Sequence, residues 1–216
     1  MTVLETDTRL RAARGVEKHE ASATLTALKA LARRNGMEHP PPLASDGHNG
    51  CAEAVVGIWG NVPQRKTKPG RPATKKRASP TWQHLKVVKK RQGKQVSPQL
   101  PKEVVFGEGD QVAKALGQGT VHVERAHLTM RHFNGGLARR GPGFSKKLVM
   151  HRAAIAWEDL YYNFGHIVRT LKVPIDDHKT VKERFKTKWL HRTPAMAAAL
   201  TSNVWSVKEL LCSIII

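Results

Sequence analysis

Charge dominates this sequence: Lys and Arg total 37 against 17 Asp and Glu, a formal +20 at pH 7. A compact chain with that excess repels itself, which points to a polyanionic partner. Nucleic acid and an anionic membrane surface are the two candidates. The membrane is the weaker one, because no stretch approaches the roughly 18 apolar residues of a spanning helix. Nor does Met1 to Arg14 have the layout of a secretory signal. The charge is also unevenly spread. Between Glu53 and Glu103 there is no acidic residue, yet Arg65, Lys66, Lys68, Arg71, Lys75, Lys76, Arg77, Lys86, Lys89, Lys90, Arg91, Lys94 and Lys102 all fall there.

A chain of 216 residues suffices for one sizeable α/β domain, or one domain plus an appendage. With aromatic content at 6%, its core is built from Ala, Leu and Val more than from rings. The two cysteines, Cys51 and Cys212, lie far apart and in no ligand spacing, which fits a reducing compartment and no disulfide framework. His122, His127 and His132 recur every five residues and so turn away from one another on a helix, which argues against a histidine metal site.

Local patterns order the elements. Thr2 to Val16 reads as two short strands around the turn Glu5-Thr6-Asp7-Thr8. Glu20 to Asn35 carries Leu25, Leu28, Leu31 and Ala32 at helical spacing, and Asn35-Gly36 stops it. A short strand ends in the Asp46-Gly47 turn, and Cys51 to Trp59 forms a second helix with Ala54, Val55, Ile58 and Trp59 on its apolar face. Pro63 to Pro80, rich in Pro, Gly and Thr, reads as an extended basic loop. After it, Trp82 to Val88 and Gln95 to Val96 are expected to pair as a hairpin around Gln92-Gly93, followed by a strand at Val104 to Phe106 and a helix at Asp110 to Leu116. The remainder is mainly helical. Val121 to Phe133 is one helix; Phe144-Ser145 opens a longer one that buries Leu148, Ala153, Ala156, Trp157, Leu160 and Phe164. Thr193-Pro194 is an N-cap with proline at the first helical position, and Ser206 with Glu209 makes a capping box for Val207 to Leu211.

Two carboxylates stand where chemistry is possible. On a helix, Glu124 and Arg131 share a face, because seven residues at about 100° each return to within about 20° of the start. A carboxylate holding a metal ion beside a guanidinium gripping phosphate suits phosphodiester chemistry. A solvated helix face with ordinary charges explains the same spacing. Asp46 sits where a strand ends and a turn begins, the place where open α/β sheets present ligating groups. An aspartate bonding its own turn backbone explains that position too.

Longer blocks carry a resemblance. Val123-Glu124-Arg125-Ala126-His127-Leu128-Thr129-Met130-Arg131-His132-Phe133 is similar to the third-carboxylate helix of DDE-type insertion-sequence transposases, in the branch typified by insertion sequence one. Gly143-Phe144-Ser145-Lys146-Lys147, Tyr161-Tyr162-Asn163-Phe164, Thr193-Pro194-Ala195-Met196-Ala197-Ala198 and Val204-Trp205-Ser206 follow in that family's order. Ser45-Asp46-Gly47-His48 resembles the block around its second aspartate. Gly70-Arg71-Pro72-Ala73-Thr74, with Trp82-Gln83, resembles the basic loop between the two. The similarity spans most of the chain from about Thr8 onward.

The resemblance implies a ribonuclease H-like α/β fold, a mixed sheet flanked by helices. It makes Asp46 and Glu124 the second and third metal-binding carboxylates and Arg131 the basic residue trailing the glutamate. Two Mg²⁺ (or Mn²⁺) ions would serve cleavage and strand transfer at double-stranded DNA, the element ends and a target, in a bacterial cytoplasm at the nucleoid, with a possible homo-oligomer. It divides the chain into residues 1–60, the first part of the catalytic core; 61–102, a basic insertion with a hairpin; 103–170, the rest of the core with the third-carboxylate helix; and 171–216, a helical extension.

One departure stands out: the family's first aspartate has no counterpart. Asp7 falls in a turn, and only one strand and one helix fit between it and Asp46. The expectation is therefore a truncated or inactive copy lacking its first strand and any upstream DNA-binding module. The basic residues Arg65, Lys66, Lys68, Arg71, Lys75, Lys76, Arg77, Lys89, Lys90 and Arg91 are expected to touch DNA, as a minor-groove hook at Gly70-Arg71-Pro72 or as a non-specific phosphate-binding segment. The alternatives are a non-catalytic basic DNA-binding protein and a basic RNA-associated one.

Overall fold

The computed structural model describes residues 1–36, 38–47, 50–63, 74–88, 91–92, 95–96, 102–117, 119–137, 143–174 and 189–213. In chain order the elements are β1 (Thr2–Leu4), β2 (Arg11–Arg14), α1 (Glu20–Asn35), β3 (Leu43–Ser45), α2 (Gly50–Trp59), β4 (His84–Val87), β5 (Arg91–Gln92), β6 (Gln95–Val96) and β7 (Lys102–Phe106). There follow α3 (Gly109–Leu116), α4 (Val121–Phe133), α5 (Leu148–Phe164), β8 (Val173–Pro174), β9 (Trp189–Leu190), α6 (Pro194–Ala197) and α7 (Val207–Ser213). The chain is mixed α/β. Among the described residues, no helix is long and apolar enough to cross a membrane.

Two compact units emerge. The first comprises Met1–Val3 and Ala13–His127. At its centre lies a three-stranded mixed sheet in the order β3-β4-β7, with β3 parallel to β4 and β7 antiparallel to it. The register sets Leu43 beside His84 and Ser45 beside Lys86. Strand β4 is central because His84, Leu85 and Val87 are all buried, so neither of its faces is left to water. That pattern explains a correction. The strand expected to fold back as a hairpin on Gln95-Val96 instead joins β3 and β7, and β6 pairs antiparallel with β5. After β7, Gly107 turns the chain at φ +98, where a Cβ would stand 2.6 Å from the Trp82 carbonyl oxygen. Only glycine fits both demands.

Helices α1 and α2 of this unit pack on each other. Ala23, Thr24, Ala27, Leu28 and Leu31 are buried on α1, and Cys51, Val55 and Trp59 on α2. Each fully buried Leu or Val contributes about 1.5–3 kcal/mol. The expected stop of α1 is present: Gly36 is left-handed at φ 54. Leu25, expected on the buried face, is 36% exposed, since the interior face runs through the small residues Ala23 and Ala27 instead.

The second unit comprises Leu4–Ala12 and Leu128–Ile216. Its backbone is α5, which packs on α6 and α7. The helix starts at Leu148 and not at Phe144-Ser145, because the Ser145 amide donates to the Gly136 carbonyl at 3.1 Å instead of entering the first turn. Its expected apolar face is also rotated: the fully buried residues are Ile155 and Glu158, whereas Ala153 and Ala156 are exposed. The cause is an ion cluster. Buried Arg11 donates from Nη1 to Glu158 Oε1 at 3.2 Å and to Asp159 Oδ1 at 3.0 Å, drawing the acidic side of α5 inward. Asn163 clasps the same residue, accepting from the Arg11 amide at 3.0 Å and donating to its carbonyl at 3.1 Å. The caps read from sequence are both made. The Thr193 hydroxyl accepts from the Met196 amide at 3.2 Å, and Ser206 and Glu209 exchange side-chain and backbone hydrogen bonds.

Candidate functional site

The first unit carries both sequence-predicted carboxylates. Asp46 directly follows β3 and is exposed, as expected of a residue beyond the carboxyl end of a strand. Parallel pairing of β3 with β4 gives the two strands a common carboxyl end, the edge where open sheets expose ligating groups. Beneath Asp46 the wall is closed. Ser45 Oγ lies 2.8 Å from His84 Nε2, and both residues are buried. Burial, and then the Lys86 charge, lowers the His84 pKa, so the ring is neutral at pH 7. Its Nδ1 has no hydrogen-bond partner among the described residues. Burial pushes the Cys51 thiol up; a hydrogen bond from Ser45 opposes that and the Asp46 charge adds to it. A thiol held protonated and buried is no nucleophile.

Glu124 occupies the first turn of α4 and is exposed. Its Oε1 accepts from the Thr120 hydroxyl at 3.0 Å. A carboxylate there is favoured by the helix N-terminus, by about 0.3–1 kcal/mol. Arg131 stands exposed in the last turn of the same helix, where a cation is likewise favoured. The helix expected at Val121 to Phe133 is therefore present with both charges at favourable ends. Among the described residues, no group of three or more His, Cys, Asp and Glu side chains is placed to hold a metal ion.

Of the predicted DNA contacts, Lys75, Lys76 and Arg77 are described and exposed. Lys76 Nζ donates to the Gly57 carbonyl at 2.7 Å, and Arg77 forms an antiparallel bridge with Asn61. Arg91 is described only as part of β5, paired with Val96. Arg65, Lys66, Lys68, Arg71, Lys89 and Lys90 lie outside the described residues, as does His48.

Sequence reading missed two polar clusters. Ser45 and His84 are 39 residues apart and Arg11 and Glu158 are 147 apart, and neither pair has a local signature. The only hint in the first case is a histidine within a run that otherwise alternates as a strand. Tyr162 was noticed only as part of a block, yet the Arg11 guanidinium stands 3.9 Å over its ring. No family model, curated protein or solved structure matches the chain.

Proposed function

We propose that this chain is a duplex-DNA-binding protein of DDE-transposase descent, with a ribonuclease H-like core in its first unit. The observation that carries the reading is the placement of Asp46 at the carboxyl end of a mixed sheet and of Glu124 at the start of α4, both exposed in one unit. Those are the positions that the order of the sequence blocks assigns to the second and third carboxylates. The fit to a metal pair is incomplete. Hard oxygen donors suit Mg²⁺, but the described residues assemble no three-ligand group. DNA binding needs no such pair, and it rests on the +20 charge and the acid-free span between Glu53 and Glu103.

The test is fluorescence anisotropy of a dye-labelled duplex titrated with the full chain. Six to ten phosphate contacts lower affinity by about 10³- to 10⁵-fold between about 50 and 200 mM salt. A structured RNA of equal length is expected to compete weakly. A salt-independent isotherm, or tighter binding of the RNA, would overturn the reading.

A further inference from the structure

The second unit contains a cavity of 530 Å³ lined by Phe133, Ala154, Trp157, Glu158, Tyr161, Tyr162 and His166, among others. That volume lies within the range of about 300–1,000 Å³ seen for small-molecule pockets. Its walls are aromatic, and its main charged group is the Glu158 carboxylate. His166 lies against Tyr162 with ring centroids 5.5 Å apart and 22° between planes, and against Phe133 edge-on at 5.8 Å.

Aromatic walls with one carboxylate would ordinarily suggest a cage for an organic cation. Here the cation is already present. Arg11 binds Glu158 Oε1 and stands 3.9 Å over the Tyr162 ring. A second, free cation would also have to approach a chain of +20. Burial and the nearby Arg11 hold the His166 pKa below the usual imidazole value, so that ring adds no charge at pH 7. What fits is a flat, neutral, polarisable ring arriving on a polyanion.

We propose that this cavity receives a single unpaired nucleobase, stacked on the aromatic walls, with an exocyclic amine donating to the Glu158 carboxylate. A carboxylate offers about four acceptor sites, so the bond from Arg11 leaves capacity for an amine. Cytosine, adenine and guanine carry such an amine and thymine does not, which gives the pocket a preference. The inference rests on the nucleic-acid reading above but adds a distinct claim, since phosphate contacts alone do not distinguish a paired base from a swung-out one.

The experiment compares two labelled duplexes that differ at one central position, either fully paired or with one unpaired cytosine. Stacking a base on aromatic side chains predicts about 5- to 100-fold tighter binding of the unpaired duplex. Thymine at that position is expected to lose most of the advantage. Tyr161→Ala removes a wall at a side chain that is 39% exposed, and Val207→Asp sets a charge at the cavity rim in the first turn of α7, where a helix tolerates an acid. Both variants are expected to bind the paired duplex as before and to lose the preference. Should one variant fail to fold by circular dichroism, the other still decides. Equal affinity for the two duplexes, or a preference that survives either folded variant, overturns the pocket and leaves DNA binding standing. Failure to bind any duplex overturns both claims.

Discussion

His84 shows what a single buried side chain does to acid stability. In the fold its imidazole sits among Leu85, Phe106 and Ser45 with its pKa lowered, whereas in the unfolded chain it titrates near the ordinary 6.5. The unfolded state therefore takes up a proton first as pH drops, and stability conferred by the neutral ring is lost progressively below that value. Urea melts between pH 7 and pH 5 should show falling stability, and His84→Phe should flatten the slope. Ser45→Ala is expected to cost about 1–3 kcal/mol at pH 7, because it strips the histidine of its bonded partner inside the core. An Ser45→Ala melt indistinguishable from the parent would show that the pair carries no stability. None of this was legible in the sequence, where Ser45 and His84 are separated by 39 positions. Pairing across a parallel sheet is set by register, and register depends on tertiary packing.

Helix ends were far more readable than helix faces. Asn35-Gly36, Thr193-Pro194 and the Ser206/Glu209 box act through bonds to backbone groups within a few residues, so their chemistry is written locally. Thr193→Ala is expected to destabilise the second unit by about 1 kcal/mol. Thr193→Ser should restore most of that, as thermal melts of both variants would show. Faces failed where a distant charge intervened. The apolar stripe read along α5 ignored Arg11, which sits on β2 and turns Glu158 inward. A strand also went astray: β4 was matched with Gln95-Val96 because turn residues lay between, but its burial on both sides reserves it for the middle of a sheet. The two carboxylates stood out for a different reason. Asp46 ends a strand and Glu124 starts a helix, and both kinds of boundary leave marks in sequence.

For the chain as a whole, charge sets behaviour that no single contact does. With +20 spread over 216 residues, association with duplex DNA should be driven mainly by the release of counterions. Lys75, Lys76 and Arg77 are exposed, so replacing all three with Ala should reduce the slope of log K against log salt by about 3, close to 1 for each phosphate lost. An unchanged slope would place the DNA on other residues and remove this segment from the interface. The +20 net charge also favours monomers at low salt, since like-charged copies repel.

The Asn163 clasp on Arg11 bears on a hazard of a different kind. A two-stranded ribbon such as β1-β2 presents an outward row of backbone donors and acceptors that any extended chain could extend into a fibre. By occupying both the amide and the carbonyl of Arg11, the Asn163 carboxamide imitates one residue of a neighbouring strand and ends the ladder there. The side chain works as a stopper against self-templated polymerisation, guarding an edge that the net charge alone would leave open once salt has screened it.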